Sequence, residues 1–308
     1  MVKYFDEEWP KEEELLRLGL EMSRKNKADR FPTAEERWPR QGSTMPYSFP
    51  KLVIEEHEGF YIVRDDLLEG GSKRRFVDRM IREEIAEGAE EFVYGGCPAN
   101  GYAQLSLTLQ AKEYGKKAVF FMAKRSMNNL HPYQKQALEY GADIRWVPNG
   151  MLSVTKKRAR DYFYEDPKRR RLLPLGLEEK RVFEDIRDLA KNIETDYNIN
   201  ISEIWSVGSS GTLTRGLQMA FPDKDVNVVS VGHKMKQHEI GRAKLYLTKY
   251  KFMQEVKEED KPPFPSVPTY DAKAWSIIRY MVMKFILTRY NNYITIRYII
   301  YFRTPWAK

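Results

Sequence analysis

Three short glycine-bearing turns carry most of the residues able to do chemistry. Gly208-Ser209-Ser210-Gly211-Thr212 follows the β-like run EIWSV and precedes the helical run TLTRGLQMA. A loop in that position aims several backbone N–H groups and the positive end of a helix dipole at one spot, which suits a phosphate. It has neither the lysine of a P-loop nor the GxGxxG spacing of a dinucleotide fold, so ATP and NAD are disfavoured and a small phosphorylated cofactor fits better. A purely structural turn is the competing reading. Gly70-Gly71-Ser72-Lys73 opens a predicted helix soon after Arg64-Asp65-Asp66. A lysine there suits covalent amine chemistry, because the dipole disfavours the ammonium and burial lowers its pKa further; by itself Lys73 reads more simply as a surface lysine. Gly95-Gly96-Cys97-Pro98-Ala99-Asn100-Gly101 again joins a strand to a helix. Asn100 can hydrogen-bond a ring hydroxyl and the helix start can hold a carboxylate, while the plain alternative is an asparagine cap.

Such turns need a scaffold of strands and helices in alternation, and the chain supplies it. From Gly59 onward, the runs FYIVR, SKRRFVDRMIREEI, EFVYG, ANGYAQLSLTLQAKEYG, KAVFFMA, HPYQKQALEYGA and DIRWVP switch between β-like and helical character. After a basic stretch at Lys168 to Arg171 the pattern resumes with EEKRVFEDIRDLAKNIE, SEIWSVG, TLTRGLQMA and VNVVSVG. This predicts an α/β fold, parallel sheets covered by helices on both faces, in two layers with a hinge between them. Residues 1–45 are polar and broken by WP, FP and MP dipeptides, and read as a helix followed by an arm. Residues 272–302 read as a core helix and a last strand, ITIRYIIYF; Arg279, Lys284, Arg289 and Arg297 interrupt them too often for a membrane span.

Composition narrows the function classes. A chain of 308 residues with 42% hydrophobic side chains can bury a full core and is expected to divide into two domains. The single cysteine, Cys97, excludes an internal disulfide and a CxxC metal framework, so no metal site is expected and a reducing, cytoplasmic setting fits. The charged N-terminus MVKYFDEEWPKEEELLRLG has no signal-peptide core. A net charge of +8 biases the chain toward anionic partners such as nucleic acid, against the plain reading of a solvated lysine surface.

Taken in order, the turns resemble the fold-type-II pyridoxal phosphate (PLP) enzymes, and within them the branch of 1-aminocyclopropane-1-carboxylate deaminase and D-cysteine desulfhydrase in the tryptophan synthase β-like superfamily. That branch shows RDD or RED, then GGNK, GGxQSNH, PxGG, GSGGT, PVYTGK and an HTGG-like strand end. The counterparts here are Arg64-Asp65-Asp66, Gly70 to Lys73, Gly95 to Gly101, Pro174-Leu175-Gly176, Gly208 to Thr212, Val267-Pro268-Thr269-Tyr270-Asp271-Ala272-Lys273 and, loosely, Tyr301-Phe302-Arg303-Thr304-Pro305. The resemblance implies a two-domain enzyme, with residues 46–75 and 186–308 forming a large PLP-binding domain and 76–185 a small α/β domain. It implies that Lys73 holds PLP covalently, that Asn100 contacts the ring hydroxyl, and that Gly208, Ser209, Ser210, Gly211 and Thr212 hold the phosphate. Thr304 would stand near the pyridine nitrogen, and Tyr270 would face the substrate. It further implies an amino-acid substrate and a homodimer.

The departures bear on the reaction. The family serine is Ala99 and the family histidine is Gly101, so of the substrate loop Ala99, Gly101 and Tyr102 the first two bring no hydroxyl or imidazole to the substrate. A loosened grip on the carboxylate suits a reaction that expels it. Together with the basic composition and the runs Lys156-Lys157-Arg158 and Lys168 to Arg171, this leads to the expectation of a PLP-dependent lyase that decarboxylates an amino-acid substituent on thymine in DNA. The chain looks similar to fold-type-II enzymes of phage pathways of that kind. The alternative expectation is a deaminase or desulfhydrase of a free small amino acid such as D-cysteine or 1-aminocyclopropane-1-carboxylate.

Overall fold

The β-branched runs bounded by glycine and proline become the centres of two sheets in the computed structural model, which describes residues 46–57, 59–288 and 298–302. The described residues form two compact units, one over 44–87 and 173–308 and the other over 88–172.

The first unit holds a six-stranded sheet in the order β1 (Ile54–His57), β2 (Phe60–Val63), β10 (Tyr298–Phe302), β7 (Ile201–Gly208), β8 (Asp225–Ser230) and β9 (Lys244–Leu247). Every neighbouring pair is parallel except β1 and β2. These two form a hairpin through Gly59, so the all-parallel expectation holds for five of the strands and fails at one edge. The last strand enters the middle of the sheet, with Phe302 beside Val63 and Tyr301 beside Trp205. Helices α1 (Ser72–Ala86), α5 (Lys180–Lys191), α6 (Thr212–Ala220) and α7 (Ala272–Thr288) belong to this unit. On α5 the buried residues Val182, Ile186 and Ala190 recur at every fourth position, one stripe of an amphipathic helix. The core gathers Phe60, Ile62, Trp205, Val207, Val229, Phe264 and Trp275. Phe60 and Phe264 meet the Trp275 ring edge-on at 5.1 and 5.2 Å, and Trp275→Ala should cost about 3–5 kcal/mol by the usual cavity arithmetic.

The second unit is a four-stranded, wholly parallel sheet in the order β5 (Asp143–Val147), β4 (Lys117–Ala123), β3 (Glu91–Tyr94) and β6 (Arg170–Leu172), with α2 (Ala103–Glu113), α3 (Pro132–Glu139) and α4 (Leu152–Glu165). Five consecutive residues of β4, Ala118 to Met122, are buried, as expected of a strand covered on both faces. The basic stretch at 168–171 is in part a strand. Arg170 lies on β6 and donates to Glu91 at 3.0 Å, with its guanidinium 3.4 Å from the Tyr162 ring centre.

The helix Ser72–Ala86 and residues 173–185 fall in the first unit. An ionic seam joins α1 to α5: Arg79 reaches Glu184 at 2.6 Å and Asp185 at 3.1 Å. The arm at 1–45 lies outside the described residues. Among the described residues no helix is long and apolar enough to cross a membrane, and no group of three metal-ligating side chains occurs.

Candidate active site

Because β2, β10 and β7 run parallel, their carboxyl ends share one edge of the sheet. The segment leading to Lys73 leaves β2 there and the Ser209–Thr212 loop leaves β7, two strand spacings apart, or about 10 Å. Open α/β sheets bind ligands at this carboxyl edge. The strand order thus brings the start of the segment that leads to Lys73 and the start of the Ser209–Thr212 loop to the same edge of the sheet. Thr304 lies outside the described residues.

The phosphate-type loop ends at Gly211, which adopts φ 76° and ψ 0° and serves as the N-cap of α6 without any side-chain cap and without an acidic residue in the first turn. A helix leaves its first N–H groups without intrahelical partners, so this start is a ready anion seat. No other residue fits position 211: a Cβ there would run into the carbonyl oxygen of Glu239. Ser209 is exposed and Ser210 half-buried. Thr212 opens α6 and reaches back to the Pro174–Gly176 turn. Its hydroxyl donates to the Gly176 carbonyl at 2.8 Å and lies 3.3 Å from the Ser210 hydroxyl, so it ties the Pro174–Gly176 turn to the loop.

Lys73 occupies the first turn of α1, after Gly70 and Gly71 with φ of 83° and 68°. Its side chain is half-buried. Lys73, Arg74 and Arg75 place three cations in succession at a helix N-terminus, where the dipole disfavours positive charge. The two arginines are compensated locally. Arg74 donates to the Glu69 carbonyl at 3.0 Å and lies over the Tyr47 ring, and Arg75 pairs with the buried Asp65 at 3.0 Å. Burial raises the Asp65 carboxyl and Arg75 works against that. Arg64 grips Asp66 with two bonds of 2.9 and 3.0 Å and also meets Glu55. The RDD segment is therefore a clasp that fixes the entry to α1.

Tyr270 stands on the turn before α7. Burial pushes the phenol up, the Ser209 side chain opposes this, and the Asp271 carboxylate adds to the rise. The turn itself is stapled by Val267 N–H donating to Asp271 at 2.7 Å. Three residues on, Lys273 is fully buried and donates to the carbonyls of Lys251 and Phe252 at 2.8 and 2.7 Å. Burial lowers its amine to about 8. Sequence reasoning gave Lys273 no role, although it ends the PVYTGK-like segment.

In the other unit, Ala99, Asn100, Gly101 and Tyr102 form the turn between the carboxyl end of β3 and α2. Asn100 is not the cap of α2, since that position is Tyr102. A Cβ at position 101 would sit 2.8 Å from the Cys97 sulfur and 2.9 Å from the Pro98 ring, so the proline fills the space a larger residue needs. Tyr102 meets Tyr133 edge-on at 4.9 Å. The residue that holds this turn is Gln104, which donates to the carbonyls of Ala99 and Gly101 at 2.8 and 2.9 Å. The only sequence signal for it was a glutamine in the first turn of that helix.

These residues fit a phosphorylated cofactor with an aldehyde: an uncapped helix start with hydroxyls beside it for the dianion, and a lysine in the first turn of α1. No family model and no curated protein matches the sequence. Solved structures do match. An ACC deaminase homologue superposes with a TM-score of 0.69 at 17% identity over 88% of this chain and 93% of its own. A hydrogen sulfide-producing enzyme from Fusobacterium nucleatum gives 0.58 at 11% identity over 83% and 84%. The processed form of threonine deaminase isoform 2 from Solanum lycopersicum gives 0.51 at 14% identity over 80% and 74%. The chain has the two-unit α/β fold of the fold-type-II PLP enzymes.

Proposed function

We propose that the chain is a PLP-dependent lyase acting at the α-carbon of a small free amino acid, releasing ammonia or a β-substituent. The observation that carries this reading is that two strands ending at one sheet edge lead, one to the uncapped helix start that bears Lys73, the other to the acid-free Ser209–Thr212 loop. PLP, when bound, withdraws electrons from the α-carbon so that a bond there can break. The residues of the chain supply the rest. The N–H groups of the α6 start and the hydroxyls of Ser209 and Ser210 hold the phosphate. The Lys73 amine retains the cofactor and moves the α-proton. Asn100 and the turn at Ala99, Gly101 and Tyr102 belong to the other unit and are proposed, by the resemblance alone, for the ring hydroxyl and the substrate carboxylate, the latter through backbone N–H groups because Ala99 and Gly101 have no polar side chain. Tyr270, whose phenol is influenced by Ser209, presents it to the substrate.

The names of the similar structures, an ACC deaminase homologue, a hydrogen sulfide-producing enzyme and a threonine deaminase, favour deamination or elimination over decarboxylation. The test is to supply PLP with D-cysteine, 1-aminocyclopropane-1-carboxylate, threonine or serine and to measure ammonia, keto acid and sulfide. Release that needs both PLP and Lys73 supports the proposal. A second reading, decarboxylation of an amino-acid substituent on thymine in DNA, is favoured by Ala99 and the net charge of +8. Loss of CO₂ from amino-acyl-modified DNA, with no keto acid from any free amino acid, would replace the first reading by the second.

A further inference from the structure

The positive charge of the chain is confined to one unit. Residues 88–172 contain 15 lysines and arginines against 8 aspartates and glutamates, a balance of +7 out of the total of +8. Not all of these cations face outward to a partner. Lys116 pairs with Glu90 at 2.6 Å, Lys157 with Asp161 at 2.7 Å, Arg145 with Asp143 at 3.1 Å, and Arg170 with Glu91 and Glu165 at 3.0 and 3.1 Å. Arg171 donates to the carbonyls of Pro167, Lys168 and Arg170. Lys156, Arg160, Lys168 and Arg169 are exposed and make no ion pair with a described residue.

Two of these four residues lie on α4 and two follow it in sequence. Helix α4 buries Thr155, Ala159 and Tyr162, and Lys156, Arg160 and Tyr164, at every fourth position, follow one exposed stripe of the helix about 6 Å apart. Tyr164 is 66% exposed although it is aromatic. Lys168 and Arg169 continue beyond it after the Asp166-Pro167 turn. A row of cation, cation, aromatic ring and two more cations matches a single nucleic-acid strand, which offers successive phosphates and unpaired bases with open faces. We propose that the outer face of α4 and the turn after it bind single-stranded nucleic acid.

The proposal does not depend on the amino-acid reaction proposed above: strand binding and turnover are measured separately, and either can fail alone. The experiment is fluorescence anisotropy of a labelled 20-nucleotide DNA strand with the full chain. Four phosphate contacts should give a log–log salt slope of about −3, so that affinity drops about 50-fold between 50 and 200 mM salt. The variant carrying K156E, R160E, K168E and R169E should lose at least that factor and flatten the slope. A control of equal charge change, with K191E, K234E, K251E and K257E in the other unit, should retain most of the binding. Tyr164→Ala, which leaves every charge in place, should weaken the single strand fivefold or more through lost stacking and should leave a duplex of the same sequence unaffected. Equal losses in the two charge variants would reduce the effect to net charge and overturn the proposal. So would a duplex bound as tightly as the strand, an unaffected Tyr164→Ala, or a wild-type chain that ignores the strand at 50 mM salt yet binds phosphatidylserine vesicles.

Discussion

The Ser209 side chain acts on the phenol of Tyr270, lowering its pKa against the rise that burial gives it, so the turn that opens α7 and the phosphate-type loop are coupled. A neutral polar contact of this kind contributes about 0.5–1.5 kcal/mol. Tyr270→Phe and Ser209→Ala should therefore be non-additive, with a coupling of that size in a thermal or denaturant double-mutant cycle. Additive losses would show that the two side chains act independently.

Gly211→Ala should be far worse than its chemistry suggests. The new methyl meets the Glu239 carbonyl, and φ is 76°, so a loss of at least about 2 kcal/mol is expected from clash and strain together. Thr212→Val removes only the bonds to Gly176 and Ser210 and should cost about 1–2 kcal/mol. Calorimetric melting of the two variants checks the order.

Lys273 has a measurable pH signature. Its amine is lowered to about 8 by burial, below the ordinary lysine value of 10.5. Between these pH values the folded chain has released the proton that the unfolded chain still holds, so stability rises with pH across that window. Relative to Lys273→Met, the wild type should gain about 1–2 kcal/mol from pH 7 to pH 10. Parallel stability curves for the two proteins would place the titration elsewhere.

Asp185 carries the opposite signature. Burial lifts its carboxyl to about 7, with Asp188, Asp78 and Glu83 adding to the rise and Arg79 opposing it. Here the folded state holds a proton that the unfolded state has lost, so stability falls as pH climbs from about 4 to about 7. Asp185→Asn should remove that part of the pH dependence and stabilise the chain by about 1–2 kcal/mol at pH 8 relative to pH 5, read from denaturant midpoints.

The residues that could be read in advance share a physical basis. The Gly70–Lys73 turn, the Gly208–Thr212 loop, α1 and β7 announce themselves through glycines at strand and helix ends and through clear periodicity, and the structure places all four as expected. The strands missed, β1, β6 and β9, are all at sheet edges. Edge strands tolerate charge and need no apolar run, so Arg170 and Arg171 read as a basic surface while Arg170 was in fact bonded to Glu91. Gln104 and Lys273 escaped for a related reason: what matters about each is the backbone carbonyls it reaches, and those lie on a turn and a loop whose positions only the fold defines. The pairing of Arg79 with Glu184 and Asp185 spans more than 100 residues, so no local pattern announces it.

The measurement that bears most directly on the account is covalent capture of PLP at Lys73. The purified chain is incubated with PLP, reduced with borohydride, digested and analysed by mass spectrometry, beside Lys73→Ala and the surface control Lys257→Ala. The account predicts a visible absorbance band in the wild type and in Lys257→Ala, abolished by reduction, with the label on the peptide containing Lys73, and neither band nor label in Lys73→Ala. A Lys73→Ala protein that keeps the band, or a label that maps to another lysine such as Lys273, would contradict it.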